Sequence, residues 1–495
     1  MSKQIIVLFI LLILFKHGLR AEENKRIFTL QEIVSLALAN SPTVKNVKNQ
    51  RQNAYWRYRN YKTSFRPQLD LNGNIPDYFS SNTPVTQPDG SVSFRSVNLS
   101  KASMNLQLKQ EIALTGTQVY AATDVTRIDN LNAKTVDWNG SPFMIGFTQT
   151  IFGYNSQKWT QRLEPLVWNE SQKSYFESLE GISQAASNYF FGLLRLQTEV
   201  ELAESNLRNS EANQKIADVN IELGRISPND YKRVALSVLN ARKSLSRARM
   251  GERVAAFNLK SFIGFNEADD LVLLPPVKTP DFKVSVQKAL EQARLNRGDP
   301  ERMKRKMIQA EQDLTYAKRS NGLRANLTGM YGLTNTSDKP SDLLEKPEVQ
   351  KMLRLSLFIP VLDWGRSASK VKMAESNSEL VKYEITQEVQ QFEREVVVQV
   401  EEFNLLYEQM KTAKEADLVA EEGYKIALQQ YQGGKLSITE LNIALQEREQ
   451  SRHDFINSLH SYWAAYYNLR KLTLYDFEND RKIYEDTTIS VSNQK

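Results

Sequence analysis

The chain has 495 residues, with 64 basic and 58 acidic side chains for a net charge of +6, three histidines and no cysteine. The lack of cysteine excludes a disulfide framework and a thiol nucleophile, and three histidines leave little from which to build a metal or catalytic cluster. Charges of both signs are interspersed along helical patterns, Arg302-Met303-Lys304-Arg305-Lys306 among them, which points to solvated helix faces and away from a nucleic-acid groove.

Lys3, eleven apolar residues from Ile5 to Phe15, and then His17-Gly18-Leu19-Arg20-Ala21 open the chain. A basic start, a short apolar core and a small residue predict a secretory signal over 1–21. The run is shorter than the roughly 20 apolar residues of a membrane helix, and an uncleaved anchor is the alternative. No later stretch is apolar enough to cross a membrane as a helix, so an exported chain of this kind is periplasmic, secreted or inserted as a β-barrel.

Residues 29–39 predict a short amphipathic helix, and a second runs from Pro42 to Ser64, with proline in the first turn where its missing N–H costs nothing. From 67 to 152, Asn, Thr, Ser, Gly and Pro become common and apolar residues alternate, as from Asn105 to Leu108 and from Phe143 to Ile151. Period-two alternation predicts strands between two environments, and Pro84 to Gly90 predicts an exposed loop tip. From Asn155 to Leu223, Tyr175, Leu179, Ile182, Ala186, Tyr189 and Leu193 recur at alternating spacings of four and three. That is a heptad seam, and such a helix is on the order of 100 Å long at 1.5 Å per residue. Pro165 predicts a kink or a loosened first few turns. After Leu223-Gly224-Arg225-Ile226-Ser227 the apolar rhythm resumes as far as Phe262, and Pro275-Pro276 and Pro280 mark a linker.

The second half repeats the first. Helices are predicted from Val284 to Leu295 and from Pro300 to Ser320, strands near 324–333 and 352–360, then a long helix from Asp363, a tip at Gly433-Gly434-Lys435-Leu436-Ser437, and a last helix reaching Leu474. The two tips lie 210 residues apart, as do Thr150-Ile151-Phe152 and Pro360-Val361-Leu362. Phe65 to Leu69, however, align with Leu323 to Leu327 at an offset of 258, so the first half carries 48 extra residues in its strand region. Its segments Leu99–Ile112 and Gln118–Ile128 are either an added hairpin or lengthened strands, and if both enter a barrel its count exceeds 12. The domain reading is a signal at 1–21, a first repeat at 22–275, a second at 276–477 and a polar tail at 478–495. With two strands per half, one chain cannot close a barrel, whereas three copies would supply 12; open edges in lipid demand that closure.

This layout resembles the TolC family of outer-membrane efflux factors. The resemblance rests on the paired halves, on Ala37-Leu38-Ala39-Asn40-Ser41-Pro42, on the strand-to-helix junctions Gln149 to Asn155 and Ile359 to Arg366, and on Tyr431 to Leu441. It implies a mainly α fold with transmembrane β: a helical coiled-coil barrel plus a β-barrel completed by trimerisation. It also implies a homotrimer in outer-membrane lipid, most of the chain in the periplasm, docked on a periplasmic adaptor (a membrane fusion protein) and served indirectly by an inner-membrane pump. The duct itself would be passive and gated, neither an enzyme nor a carrier of cofactor or metal.

By the same resemblance, Asp230 matches the family's gate aspartate, Tyr431 the tyrosine it can hydrogen-bond, and Glu440 one acidic ring of the closed pore, where like charges would raise carboxyl pKa values. Leu436 stands where the family has a gate arginine, and Ile443 where it has a second acidic ring, so the latch differs. The alternative for Asp230 is a helix cap or first-turn acid favoured by the helix dipole, and for Glu440 a solvated helix face. Gly224 and Gly434 fit tight turns that need positive φ. Adaptor docking would fall on Arg225, Ile226, Ser227, Lys435, Leu436 and Ser437. Tyr78, Phe79 and Phe94 are either an interfacial girdle or loop aromatics, and His453 and His460 read as packed or solvated helix residues. The competing assignment is a periplasmic coiled-coil adaptor, which would have one hairpin and a lipoyl-type β domain.

Overall fold

A computed structural model describes residues 26–265, 271–276, 278–433 and 435–483; the signal segment and Gly434 lie outside them. The chain divides into two compact units, one from 1–51, 173–297 and 391–495, the other from 52–172 and 298–390.

The first unit begins with strand β1 (Arg26–Phe28), which pairs in parallel with β6 (Leu271–Leu273). Helix α1 (Leu30–Asn40) starts at Thr29, whose backbone N–H donates to Glu32 Oε2 at 2.7 Å while its hydroxyl accepts from Glu32 N–H at 3.4 Å. This reciprocal capping satisfies two of the otherwise unpaired N–H groups at the helix start. Leu30, Ile33, Val34 and Ala37, one helical face, are buried. Helix α2 (Pro42–Ser64) follows directly on its proline.

Two long hairpins repeat to the residue. Helix α3 (Ser156–Glu222) and α4 (Pro228–Ile263) have 67 and 36 residues. Their counterparts in the second half, given below as α7 (Arg366–Gln432) and α8 (Ile438–Thr473), have the same lengths, each displaced by 210 positions. Helix α3 is unbroken through Pro165. Helices α5 (Val286–Asn296) and α6 (Asp299–Ser320) precede α7 as α1 and α2 precede α3. Phe403, Tyr462, Trp463 and Tyr466 form a buried aromatic cluster between α7 and α8, with Phe403 and Tyr462 rings 5.4 Å apart. Beside it, Arg470 on α8 makes two bonds to Glu180 on α3, at 2.9 and 3.1 Å, and one to Asp476 at 2.9 Å. The chain after α8 turns back, and β9 (Tyr475–Asp476) pairs with β10 (Arg481–Lys482).

The second unit carries a sheet that corrects the strand count. Four strands lie in the first half, where the two-per-half reading has two: β2 (Gln68–Thr86), β3 (Val92–Ile112), β4 (Thr117–Asn130) and β5 (Thr135–Ile151). The second half has two, β7 (Arg324–Ser337) and β8 (Glu348–Phe358). They form one antiparallel meander in the order β2-β3-β4-β5-β7-β8. The 48 extra residues are therefore an added hairpin in the sheet. β2 also continues through Pro84 to Thr86, so the loop tip begins at Gln87, where Gln87 N–H donates to Ser91 O at 2.7 Å.

Candidate functional site: paired hairpin tips and a two-faced sheet

Both hairpin tips of the first unit follow one construction. α3 runs into Gly224 at φ +65°, a left-handed position where glycine has no Cβ to crowd the carbonyl. The Arg225 N–H then donates to Asn220 O at 2.8 Å, and at the second tip Lys435 N–H donates to Gln430 O at 2.9 Å. Each next helix starts at a serine. The Ser227 hydroxyl accepts from Asp230 N–H at 3.1 Å and donates to Asp230 Oδ2 at 2.6 Å. Ser437 makes the fuller version: its hydroxyl accepts from Glu440 N–H at 3.3 Å, and its hydroxyl and N–H donate to Glu440 Oε2 at 2.7 and 2.9 Å.

Asp230 and Glu440 are thus equivalent third-position acids of two helices, each engaged by its own N-cap serine. The Ser437 hydroxyl bond first, and then its backbone bond, hold the Glu440 carboxyl below the usual carboxylate range. That direction opposes the one a ring of three carboxylates would impose. Tyr431 is half-buried in the last turn before the second tip, and burial raises its phenol pKa. Ile226 and Leu436, one repeat apart, are both half-buried, while Arg225 and Lys435 beside them are both exposed. A serine three residues before an acid is the sequence signature of a capping box, and reading it at Ser227 and Ser437 assigns these carboxylates a structural partner that the gate reading omits. His460 accepts a packed role: its ring stacks on Phe191 at 5.4 Å and its Nε2 lies 2.9 Å from Asn188 Oδ1.

The second unit offers a different surface. The register sets Leu71 opposite Leu106, Leu106 opposite Thr123, Val119 opposite Phe147, Phe147 opposite Gly329, and Gly329 opposite Leu353. One face of all six strands is therefore largely apolar, and many of its large side chains are exposed, Leu71 at 62% and Leu353 at 76%, while Val119 and Phe147 are half-buried. The other face carries Asp70, Asn72, Asn105, Gln107, Lys109 and Thr328; on it Lys109 Nζ lies 2.6 Å from Asp70 Oδ2. Tyr78 and Phe94 stand on the apolar face, whereas Phe79, opposite Leu99, turns to the other. Lys351 lies on the apolar face with its ammonium over the Tyr331 ring at 5.8 Å. Phe147 covers Gly329 so closely that a Cβ there would lie 2.4 Å from its ring. Among the described residues no helix is long and apolar enough to cross a membrane, and no group of His, Asp or Glu is arranged to hold a metal.

The outer membrane efflux protein family matches residues 287–473, within the second repeat. No curated protein sequence is similar enough to match. Among solved structures, the Campylobacter jejuni CmeC outer membrane channel is similar at a TM-score of 0.63 and 16% identity, over 90% of this chain and 85% of that one. The Vibrio cholerae outer membrane protein VceC follows at 0.60 and 13%, over 90% and 95%. The open state of the Neisseria gonorrhoeae MtrE outer membrane channel gives 0.59 and 13%, over 90% and 88%. Identities this low carry the fold alone: the second repeat is similar to the outer membrane efflux protein family, and the chain has the TolC-like channel fold.

Proposed function

We propose that the chain is the outer-membrane component of a tripartite efflux or type I secretion system, working as a passive, gated homotrimeric duct from periplasm to exterior. The observation that carries this reading is the six-stranded sheet with one exposed apolar face, one polar face and, among the described residues, two unpaired edges. Exposed Leu71, Leu106, Ile145, Tyr331 and Leu353, on five of the six strands, make an extended apolar patch, which marks a membrane or protein contact, and alternation of this kind suits lipid on one side and water on the other. Leu69 to Tyr78 is the ten-residue length that a tilted spanning strand needs, roughly 9–11 residues. Open edges cannot persist in lipid, so the sheet closes with further copies.

The paired tips serve the periplasmic end. Exposed Arg225 and Lys435, with half-buried Ile226 and Leu436, form two similar docking points for an adaptor, with Gly224 and Ser227 fixing the first turn and Ser437 the second. Asp230, Tyr431 and Glu440 line the aperture, with Leu436 supplying apolar contact where an ion-pair latch is missing. A lipoyl-type adaptor is disfavoured, because two hairpins and an amphipathic meander are present. Fractionation of outer and inner membranes, followed by planar-bilayer recording of the purified protein, tests the reading. Outer-membrane recovery and cation-selective conductance by a trimer are expected; a soluble monomer without conductance would refute it.

A further inference from the structure

Within the chain, the outer edges of β2 and β8 have no neighbouring strand among the described residues. The internal repeat indicates what lies against them. β5 ends the strands of the first half as β8 ends those of the second, and β7 opens the second half as β2 opens the first. Inside the chain the two halves join through β5 and β7. The same junction made between copies pairs β8 of one copy with β2 of the next. The meander has an even number of strands, so these two edges run antiparallel, as a closed barrel requires.

The repeat offsets also carry the register. β8 lies 210 positions after β5, and β2 lies 258 before β7. The observed pair Phe147 and Gly329 maps to Leu357 and Leu71, and Phe143 and Leu333 map to Leu353 and Ile75. Both offsets are even, so pairs on the exposed apolar face map onto that same face. A slip of one residue would set the same leucines on the face of Asp70 and Asn72, because strand side chains alternate with period two.

We propose that three copies close through β8 and β2 edges into one 18-stranded barrel, with Leu357 of one copy opposite Leu71 of the next. This rests on the trimeric-duct reading and goes beyond it, since two strands per half would give 12. At a strand spacing of about 4.8 Å and a tilt near 40°, 18 strands enclose a backbone diameter of roughly 35 Å, against roughly 24 Å for 12. A polar lumen of that width does not sort cargo by size at the outer membrane, so size selection falls to the hairpin tips.

The chain contains no cysteine, so an introduced pair reports only its own contact. Opposed residues of antiparallel strands have Cα atoms about 4.5–5.5 Å apart, within disulfide reach. The full-length protein carrying Leu71→Cys with Leu357→Cys is oxidised in outer membranes and resolved on denaturing gels. A reducible ladder that ends at the covalent trimer is expected, with Leu71→Cys plus Phe358→Cys, on opposite faces, giving none. Ile75→Cys with Leu353→Cys repeats the measurement should the first variant fail to assemble. A conducting trimer that cross-links in neither pair overturns the 18-stranded closure and leaves the duct reading intact. A ladder that stops at the dimer overturns three-copy closure. Monomers without conductance or cross-links remove the duct reading and the closure with it.

Discussion

Arg470 on α8 and Glu180 on α3, 290 residues apart in sequence, form a two-bonded ion pair at 2.9 and 3.1 Å, both side chains largely withdrawn from solvent. The pair joins the two repeats inside the first unit, and Asp476 completes it from the turn after α8. Burial disfavours the Arg470 charge, yet the bonds to Glu180 and the nearby carboxylates raise its pKa overall. Glu180→Gln would strand a buried guanidinium with half its partners, at a cost of about 3 kcal/mol. Replacing Arg470 and Glu180 together by Met and Leu should recover only part of that loss, because the buried Asp476 carboxylate then lacks its guanidinium. Thermal unfolding of the single and double variants checks the difference.

The second tip should be sensitive to acid. Glu440 has a folded-state pKa below its ordinary 4.5 because Ser437 bonds its ionised form. A depressed carboxyl stabilises above its unfolded pKa, and that contribution is lost as pH falls through the folded value. Amide exchange at Ser437 and Glu440 should therefore accelerate, relative to the intrinsic rate, as pH drops below about 4.5. Glu440→Gln should remove the acid-dependent step. Ser437→Ala should loosen the tip at all pH values, by about 1 kcal/mol for a lost N-cap.

Gly224 separates backbone strain from crowding. A Cβ there would meet nothing within 4 Å, but φ is +65°. Gly224→Ala should cost about 1 kcal/mol through the left-handed conformation alone, and Gly224→Asn less, because asparagine tolerates that region. Gly332 is the opposite case, since a Cβ would lie 2.8 Å from the Phe143 carbonyl oxygen. Gly332→Ala should disturb β5–β7 pairing and lower the yield of folded protein. Tip-local exchange rates and heat-modifiable migration on gels distinguish the two outcomes.

The two faces of the sheet should respond unequally to charge. Leu355→Arg, on the apolar face, should cost about 2–4 kcal/mol if that position lies near the bilayer midplane and should reduce recovery in the outer membrane. Thr328→Arg, across the sheet from it, should leave recovery unchanged and alter ion selectivity. Equal losses for both would contradict a lipid-facing surface.

If Asp230 and Tyr431 hold the aperture, Asp230→Asn or Tyr431→Phe should raise single-channel conductance several-fold. Unchanged conductance in both would leave Asp230 with only the capping role that its bond to Ser227 already gives it. Ser227→Ala, which removes the cap and keeps the carboxylate, separates the two roles in the same recording.

The sequence by itself determined the repeat and the helices. The 210-residue offset returns as helices of equal length beginning at Ser156 and Arg366 and at Pro228 and Ile438, because heptad periodicity, Pro at a first turn and Gly at a tip are local signals. It also exposed the 48-residue excess and the alternation that marks β3 and β4. Tertiary structure decided where that excess goes. An alternating segment is equally compatible with a longer strand and with an added one, and only pairing, Leu106 against Leu71 on one side and Thr123 on the other, makes it a central strand. Tertiary structure likewise joined Arg470 to Glu180, since nothing local in either helix names a partner 290 residues away. The tip carboxylates lie between these cases: their spacing from Ser227 and Ser437 was legible, and their geometry fixed which oxygen each hydroxyl engages.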